Sequence, residues 1–370
     1  ADEFPNSYVV TAISGSTVTV TDHRVAQGQP ATNDIASFDR AFTNLGTGEA
    51  NINVWATAGD TYVLEGHDEG VMPLLMPSVT INDTTLGAAG TFKVTAKSGE
   101  RHAGVVGSGF RLKQTQTGGG IFLGVAETSC PNQVIEELEI VGTGLVIGAT
   151  ATHTIWVSED GASTQRTKVR NCIVHDFTAD GTGALEAFLS GGNADNGTKF
   201  ENCVAYDMLK TGTGLVYGFF LQGDNTVASN CAAYNCGTGG FNGPTAAPNA
   251  AIVKNCASIG NPTDYTGTGY AATCTNNASG DTTAPDNGGV NPSYESAVAT
   301  TEWTNPAGGD FTIKTSTSVK ILDVGADLSS SFTDDFVGLT RTNVWDIGPG
   351  QGAPPPVWPI VPFHGGVLTD

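Results

Sequence analysis

The sequence predicts an all-β protein built as a solenoid of stacked coils, on the basis of two observations. The first is composition. The 370 residues include 49 Gly, only 3 Met and 14% charged residues, with abundant Thr, Asn and Ser, which favours many turns and few long helices. The second is an Asn-Cys pair that recurs at Asn171, Asn202, Asn230 and Asn255, at intervals of 31, 28 and 25 residues. Repeats of 20–50 residues are typical of solenoids.

Each Asn-Cys pair precedes a short predicted strand. Cys172 and Val174 alternate inward with the period of 2 that a β-strand requires, and the later copies follow the same pattern. Four residues after each Cys stands a residue type that tolerates a left-handed backbone, so we expect each strand to end there. These residues are Asp176, Asp207, Asn235 and Gly260.

Matching residues of successive coils are expected to lie about 4.8 Å apart. An Asn can adopt the left-handed bend at a corner and hydrogen-bond to the Asn of the next coil. Stacked Cys side chains point the same way, which favours small buried hydrophobic residues over disulfides. Cys-x-x-Cys and Cys/His ligand spacings are absent, so the sequence predicts no metal site and no cofactor. The predicted structural ladder consists of Asn171, Asn202, Asn230, Asn255, Cys172, Cys203, Cys231 and Cys256.

Two outward-facing columns follow from the same alignment. In one, Arg170 is placed over Glu201, which predicts a cross-strand ion pair worth up to about 1 kcal/mol. In the other, flat side chains recur at equivalent positions, and we expect them to stack. This second column consists of His175, Tyr206, Tyr234 and Ile259.

The N-terminal segment is predicted to cover the first coil of the solenoid. Residues 8–22 alternate apolar and polar on both sides of Gly15, which predicts a β-hairpin. Asn33 is a helix N-cap candidate, and the apolar residues over 35–45 recur at spacings of 3, 4 and 3, which predicts one face of a short helix. Because a solenoid needs a cover over its first coil, we interpret residues 1–60 as an N-terminal cap.

The solenoid is assigned to residues 61–348. It begins before the first Asn-Cys pair, because Ile140 matches Val174 and thereby places Glu137 in the Asn position. Residues 349–370 are rich in Pro and Gly and are interpreted as an extended arm. Its apolar residues need a surface to pack on, and we expect that surface to be a neighbouring subunit. They are Trp358, Ile360, Val361 and Phe363.

Charge limits the classes of partner. The formal net charge is −21 with only 16 Lys and Arg, so the surface repels phosphate backbones and anionic lipid, and we expect neither nucleic acid nor membrane as a partner. No apolar stretch approaches a membrane span, and no signal peptide opens the chain. The N-terminal Ala fits either removal of an initiator Met or cleavage of a signal peptide.

Few residues are candidates for catalysis, and each also has a simpler structural interpretation, so no catalytic residue is assigned. Asp176 and Asp207 are one coil apart with His175 nearby, which suggests a carboxylate pair, but both occupy the turn position. Lys168 and Arg170 suggest a basic strip, although they alternate with apolar residues as any solvent-facing strand does. The other members of this strip would be Arg166, Arg111 and Lys113.

The repeat, together with two longer motifs, resembles the right-handed parallel β-helix (pectate-lyase-like) superfamily over roughly residues 60–348. The motifs are "SGERHAGVVGSGFRL" (98–112) and "DDFVGLTRTNVWDIG" (334–348). They are similar to those of β-helix repeat proteins of bacteriophages and environmental bacteria, in which an Asp-x-x-Gly-x-x-Arg stretch leads into Trp-Asp-Ile-Gly. Here the matching residues are Asp335, Gly338, Arg341 and 345–348, and the chain departs from the pattern at Pro349.

The resemblance implies a fold more specifically than a function, because such proteins include virion fibres and spikes, surface proteins and polysaccharide-degrading enzymes. We expect a structural virion protein of the head-decoration, fibre or tail-spike type, located at the virion surface. It would assemble with further copies or other virion proteins and bind host glycans through exposed Tyr and Trp. The first alternative is an extracellular polysaccharide lyase or glycosidase, and the second is a secreted adhesin or filament subunit.

Overall fold

The computed structural model describes residues 8–14, 17–22, 61–66, 74–76, 79–81, 90–114, 120–127, 133–143, 145–159, 167–191, 197–245, 250–286, 289, 291–342 and 344–352. The strands are β1 (Tyr8–Ser14), β2 (Thr17–Asp22), β3 (Thr61–Gly66), β4 (Leu74–Met76), β5 (Val79–Ile81), β6 (Thr91–Ala96), β7 (Arg111–Gln114), β8 (Gly120–Glu127), β9 (Gln133–Glu136), β10 (Glu139–Val141), β11 (Val146–Ile147), β12 (Thr152–Glu159), β13 (Lys168–Arg170), β14 (Ile173–Ala179), β15 (Leu185–Gly191), β16 (Lys199–Glu201), β17 (Val204–Lys210), β18 (Val216–Leu221), β19 (Val227–Ser229), β20 (Ala232–Cys236), β21 (Gly239–Asn242), β22 (Ile252–Lys254), β23 (Ala257–Ile259), β24 (Tyr265–Thr266), β25 (Asn277–Ser279), β26 (Ser293–Tyr294), β27 (Trp303–Asn305) and β28 (Asp310–Ile313).

The strands form a parallel β-helix, as the repeat predicted. Successive strands enter three parallel sheets in turn, so each full coil contributes one strand to each sheet. Within the described residues, sheet 1 contains β3, β6, β9, β13, β16, β19 and β22. Sheet 2 contains β4, β7, β10, β14, β17, β20, β23, β25 and β26, with β11 beside β14. Sheet 3 contains β5, β8, β12, β15, β18, β21 and β24.

The core lies between the sheets and consists of inward-facing residues in vertical files. Phe219 stacks on Phe188 with ring centroids 4.7 Å apart and on Phe241 at 4.5 Å, with the rings within 9° of parallel. Tyr265 continues this file at 5.2 Å. Offset aromatic pairs of this kind add about 0.5–1.5 kcal/mol each beyond the area they bury. Because the strands stay in register, each sheet places chemically similar side chains over one another.

The structure describes only part of the predicted N-terminal cap and C-terminal arm. The hairpin predicted over 8–22 is present as the antiparallel pair β1 and β2. The helix predicted over 35–45 lies outside the described residues, as does the arm beyond residue 352. Among the described residues the last strand in a parallel sheet is β26, and the solenoid boundary at residue 348 stays a prediction.

The residues after β26 return along the outside of sheet 2. They include a short helix, α1 (Ala299–Glu302), and the antiparallel hairpin of β27 and β28, joined by a 3-10 turn at Pro306–Gly308. Together with the segment that follows β28, they form what we call the flank cover, residues 297–352. Its buried Trp303 and Phe311 pack with outward-facing residues of sheet 2 in a second hydrophobic cluster. This cluster places part of the outer face of sheet 2 under protein and not solvent.

The predicted strand ends require a correction. Asp176, Asp207 and Asn235 do have left-handed backbones, with φ of 59°, 49° and 51°. However, β14, β17 and β20 continue past these residues, because neighbouring coils bend at the same position and resume pairing one residue later. Only the copy at Gly260 ends its strand as predicted. Within the described part of the chain, no helix is long and apolar enough to cross a membrane.

Candidate functional site

The Asn residues of the repeat form the corner between sheets 1 and 2. Asn171, Asn202, Asn230 and Asn255 all have left-handed backbones with φ of 52–53°. The Nδ2 of Asn202 donates to Oδ1 of Asn171 at 3.1 Å, and Asn255 donates to Asn230 at 3.3 Å. Glu137 holds the same left-handed position with φ of 62°, which confirms its predicted place in the ladder.

The ladder is covered on its outer side by the end of the flank cover. Asn230 donates from Nδ2 to the carbonyl oxygens of Asp346 and Gly348, at 2.8 and 3.0 Å. Arg341 donates from Nη2 to Oδ1 of Asn202 at 3.0 Å and to the carbonyl oxygen of Pro349 at 2.7 Å. The residues of the Asp-x-x-Gly-x-x-Arg and Trp-Asp-Ile-Gly motifs therefore fasten the chain to the corner. We call residues 334–352 the corner clasp.

Buried charges hold the corner clasp together. Arg341 is 6% exposed, and its guanidinium lies over the ring of Trp345 at 5.1 Å. Burial lowers the pKa of Arg341 to about 10, against the raising effect of Asp335 and Asp346. Burial raises the pKa of Asp346 to about 6, although its carboxylate accepts hydrogen bonds from the backbone N–H groups of Asp323 and Gly352.

The Cys residues of the repeat form a buried file inside the solenoid. The described cysteines are all buried and none forms a disulfide. The backbone N–H of Cys203 donates to Sγ of Cys231 at 3.5 Å, and that of Cys231 to Sγ of Cys256 at 3.4 Å. Burial raises the pKa of the Cys203 thiol, which keeps it neutral and unreactive. In the next coil Asn277 accepts from the backbone N–H of Cys256 at 3.1 Å, so an amide replaces sulfur there.

His175 lies at the centre of a buried polar group on sheet 2. Its Nε2 is 3.1 Å from Oε1 of Glu139, and its Nδ1 is 3.2 Å from both the hydroxyl of Tyr206 and Oδ2 of Asp176. The imidazole stacks on the Tyr206 ring at 4.9 Å, as the column predicted. Burial acts to lower the pKa of His175, but hydrogen bonds to Asp176 and Glu139 outweigh it and raise the pKa.

The flank cover lies directly over this group. Gly309 packs so closely on Tyr206 that a Cβ there would lie 2.7 Å from the tyrosine hydroxyl. The N–H of Gly107, from the loop paired with the cover through the bridge of Val105 and Asp310, donates to Glu139 at 2.8 Å. His175 is consequently only 2% exposed. His175 and Glu139 are therefore enclosed by the fold, whereas the carboxylate of Asp176 remains 40% exposed.

The structure brings Asp176 and Asp207 together on neighbouring coils, at the half-exposed bend. The hydrogen bond from His175 lowers the pKa of Asp176, whereas burial raises the pKa of Asp207 and Asp176 adds to that increase. Each carboxylate already has a partner, since Thr143 donates to Asp176 at 3.2 Å and Asn235 donates to Asp207 at 2.6 Å. The pair is adjacent, and one oxygen of each carboxylate, Oδ2 of Asp176 and Oδ1 of Asp207, is engaged at the bend.

The predicted ion pair of Arg170 is formed with another residue. Arg170 lies in register with Glu201 as predicted, but its Nε donates to Oε2 of Glu136, on the preceding coil, at 2.6 Å. Glu136 is 3% exposed and also pairs with Lys93. Burial acts to raise the pKa of Glu136, but Lys93 and Arg170 outweigh it and lower the pKa. Glu136 stands in the same column as Arg170, since it directly precedes Glu137 in the Asn position, but the alignment alone does not show which neighbour the guanidinium contacts.

The predicted basic strip is not assembled as one surface. Lys168 and Arg170 lie on β13 of sheet 1, whereas Arg111 and Lys113 lie on β7 of sheet 2. Arg166 falls outside the described residues. Instead, the outer face of sheet 1 gathers a different set of cations from other coils. They are Lys93, Lys168, Arg170, Lys199 and Lys254.

The charged turn at 100–102 is structural. Arg101 donates to Oε1 of Glu137 at 2.8 Å and to the carbonyl oxygen of Val337 in the corner clasp. The Nε2 of His102 lies 2.6 Å from the carbonyl oxygen of Asn171. Burial lowers the pKa of His102, so this imidazole is held neutral. The "GERH" segment thus attaches the corner of the solenoid to its covering chain.

The strand pairing and the contacts at the Asn corner define a parallel β-helix protein in which the flank cover packs on one side of the solenoid. No family model and no curated protein matches the chain. Among solved structures it is similar to a rhamnogalacturonan lyase, with a TM-score of 0.41 and 14% identity over 66% of this chain and 68% of that one. It is also similar to pectate lyase Pel9A, with a TM-score of 0.41 and 12% identity over 82% and 90% of the two chains. Because both TM-scores are below 0.5, the assignment of the parallel β-helix fold depends on the strand pairing of this chain and not on these similarities.

Proposed function

We propose that this chain is a non-catalytic, structural β-helix subunit that assembles with further copies or with other proteins. The observation that carries the proposal is the state of His175, which is held by Glu139 and Asp176 and buried beneath the flank cover. Side chains with catalytic potential on sheet 2 serve to support the fold. In the described strands the three sheets satisfy backbone hydrogen bonds from coil to coil, which suits a rigid rod exposed to solvent.

Turnover assays test this proposal. The intact protein is incubated with alginate, pectin and capsular glycans, and both unsaturated ends and reducing sugars are followed. We expect no product with any of them. Product formation that disappears in the Glu201→Gln variant would replace the structural proposal with an enzyme.

A virion surface is the setting we propose, with a secreted surface adhesin or filament as the alternative setting. Support comes from the motif of the corner clasp, which is similar to that of bacteriophage β-helix proteins and is here wholly structural. Antibodies raised against the chain are expected to label purified bacteriophage particles. Labelling confined to the cell surface or the medium would favour the adhesin.

The second candidate function is a polysaccharide hydrolase or lyase on sheet 1, and a specific pair of carboxylates favours it. Glu136 and Glu201 lie in one outward column on either side of Arg170, two strand spacings of about 4.8 Å each apart. Inverting glycosidases place their carboxyl groups about 6.5–9.5 Å apart, so the backbone spacing of about 9.6 Å lies at the upper limit of that range. Burial raises the pKa of Glu201, with Lys199 and Lys168 opposing it, while the pKa of Glu136 is lowered. Such opposite shifts suit an acid and a base.

A further inference from the structure

The outer face of sheet 1 carries an unusual stack of like charges. Lys168 and Lys199 occupy directly paired positions on the neighbouring strands β13 and β16. Like charges placed opposite each other on adjacent strands are destabilising. The chain has only 16 Lys and Arg against 37 Asp and Glu, so a stacked pair of lysines is not explained by an abundance of cations.

The neighbouring cations differ from this pair in being neutralised. Lys93 and Arg170 both bind the buried carboxylate of Glu136. Among the described residues, neither Lys168 nor Lys199 forms a salt bridge, and Lys168 is exposed to solvent. Glu201 interacts electrostatically with both, but its carboxylate is largely buried, and burial raises its pKa.

From this arrangement we infer that the outer face of sheet 1 binds a linear polyanionic glycan, with its anionic groups on Lys168 and Lys199. The ligand would run along the solenoid axis, because the cations recur along that axis from Lys93 through Lys199 to Lys254. Carboxylated and sulfated glycans share the chemistry that these lysines recognise.

The width of the cationic surface favours a thin ligand. The cations occupy two adjacent outward columns of short strands, with Lys168 and Lys199 in one and Arg170 and Lys254 in the other. The whole chain carries a charge of −21, so a wide polyanion such as duplex nucleic acid also meets repulsive surface. A single glycan chain remains within about one Debye length, roughly 8 Å at physiological salt, of the lysines.

Binding is measured by calorimetry on the full chain at low and at physiological ionic strength, with polygalacturonate, heparin, neutral dextran and duplex DNA as probes. The test variant is Lys168→Gln/Lys199→Gln. The matched control is Lys113→Gln/Lys320→Gln, which removes the same charge from sheet 2 and from the flank cover. We expect at least one anionic glycan to bind roughly tenfold more weakly to the test variant and unchanged to the control. Added salt is expected to weaken binding, and dextran not to bind.

The glycans that bind identify the anionic group, carboxylate for polygalacturonate and sulfate for heparin. Three results would overturn the inference: no binding of either anionic glycan, equal losses in both double variants, or equally tight binding of duplex DNA. Melting temperature separates this role from a structural one, because removing a repulsive pair should leave stability unchanged or higher. Because glycan binding is measured without turnover, its outcome is independent of whether the protein is a non-catalytic structural subunit.

Discussion

Nη2 of Arg341 donates a 3.0 Å hydrogen bond to Oδ1 of Asn202, which precedes it by 139 residues. The contact joins the corner clasp to the Asn ladder, at the step between Asn202 and Asn230. Elsewhere in the ladder the amides hydrogen-bond to each other, and at this step the clasp supplies partners to both. The corner of the solenoid is therefore completed by sequence far from the repeat.

Replacing Arg341 should destabilise the protein. In Arg341→Ala the carbonyl oxygens of Gly348 and Pro349 lose a buried donor, and the loss of a buried charged partner costs about 3 kcal/mol. Urea unfolding measures this free energy. Arg341→Lys should recover only part of it, because an ammonium group cannot match the forked donors of a guanidinium. An effect no larger than that of the control Lys320→Ala would contradict the role of the clasp.

The Cys file predicts a specific order of stabilities. Cys203→Ala should lower the free energy of unfolding by about 1 kcal/mol and Cys203→Ser by about 2 kcal/mol, because a buried hydroxyl costs more than a small cavity. Thermal melting with and without reductant provides the control. A lower melting temperature in reductant would show that disulfides form in solution.

Protonation of His175 should stabilise the fold. Its pKa is raised in the folded state, so its contribution is complete below the unfolded value of about 6.5 and is lost as the pH rises through the folded pKa. The pKa of Asp176 is lowered, so its contribution is lost as the pH falls through that folded pKa. Unfolding free energies measured across this range should converge with those of His175→Gln at high pH.

The control for the His175 variant is His153→Gln. His153 forms a comparable pair with Glu186 at 2.7 Å, but its side chain is 24% exposed on sheet 3. Solvent screens such pairs, so we expect a smaller loss of unfolding free energy than in His175→Gln. Equal losses for the two variants would mean that the flank cover does not strengthen the interactions of His175.

Removal of the arm tests assembly. The truncation should begin at residue 353, because Arg341 binds the carbonyl oxygen of Gly350 and Asp346 accepts from the N–H of Gly352. If Trp358 and Phe363 pack on a neighbouring subunit, the truncated chain should have a lower mass in light scattering at an unchanged melting temperature. An unchanged mass would show that the arm does not mediate assembly.

The repeat predicted the features that depend on matching residues lying over one another in successive coils. Asn171 and Cys172 identified the corner and the inward file, because stacked coils place the same residue type at the same position in each turn. The same alignment placed Glu136 in the column of Arg170, but it did not show that Arg170 donates to this preceding coil and not to Glu201. It also placed Arg111 beside Lys168, since alternation along a strand does not reveal which of the three sheets the strand enters.

The flank cover was not foreseen for a related reason. Its contacts with sheet 2 join residues that are far apart in the chain, such as Tyr206 and Phe311, whose rings are 5.4 Å apart. No periodic pattern links them. The predicted use of exposed Tyr and Trp for glycan binding stays a prediction. Tyr206, Trp303 and Trp345 are buried, whereas other described aromatic residues are partly exposed, namely Trp156, Tyr234, Tyr270 and Tyr294.

The corner clasp also has a consequence for how the chain is made. Residues 334–352 leave the ribosome after every coil they cover, so a nascent solenoid has an unsealed edge for as long as synthesis takes to reach them. Until then the amides of Asn202 and Asn230 at that edge must be satisfied by water or by a chaperone. A product that stops short of Arg341 would retain its coils but would leave the Asn corner uncovered. Proteases could then recognise an unfinished chain by this exposed corner.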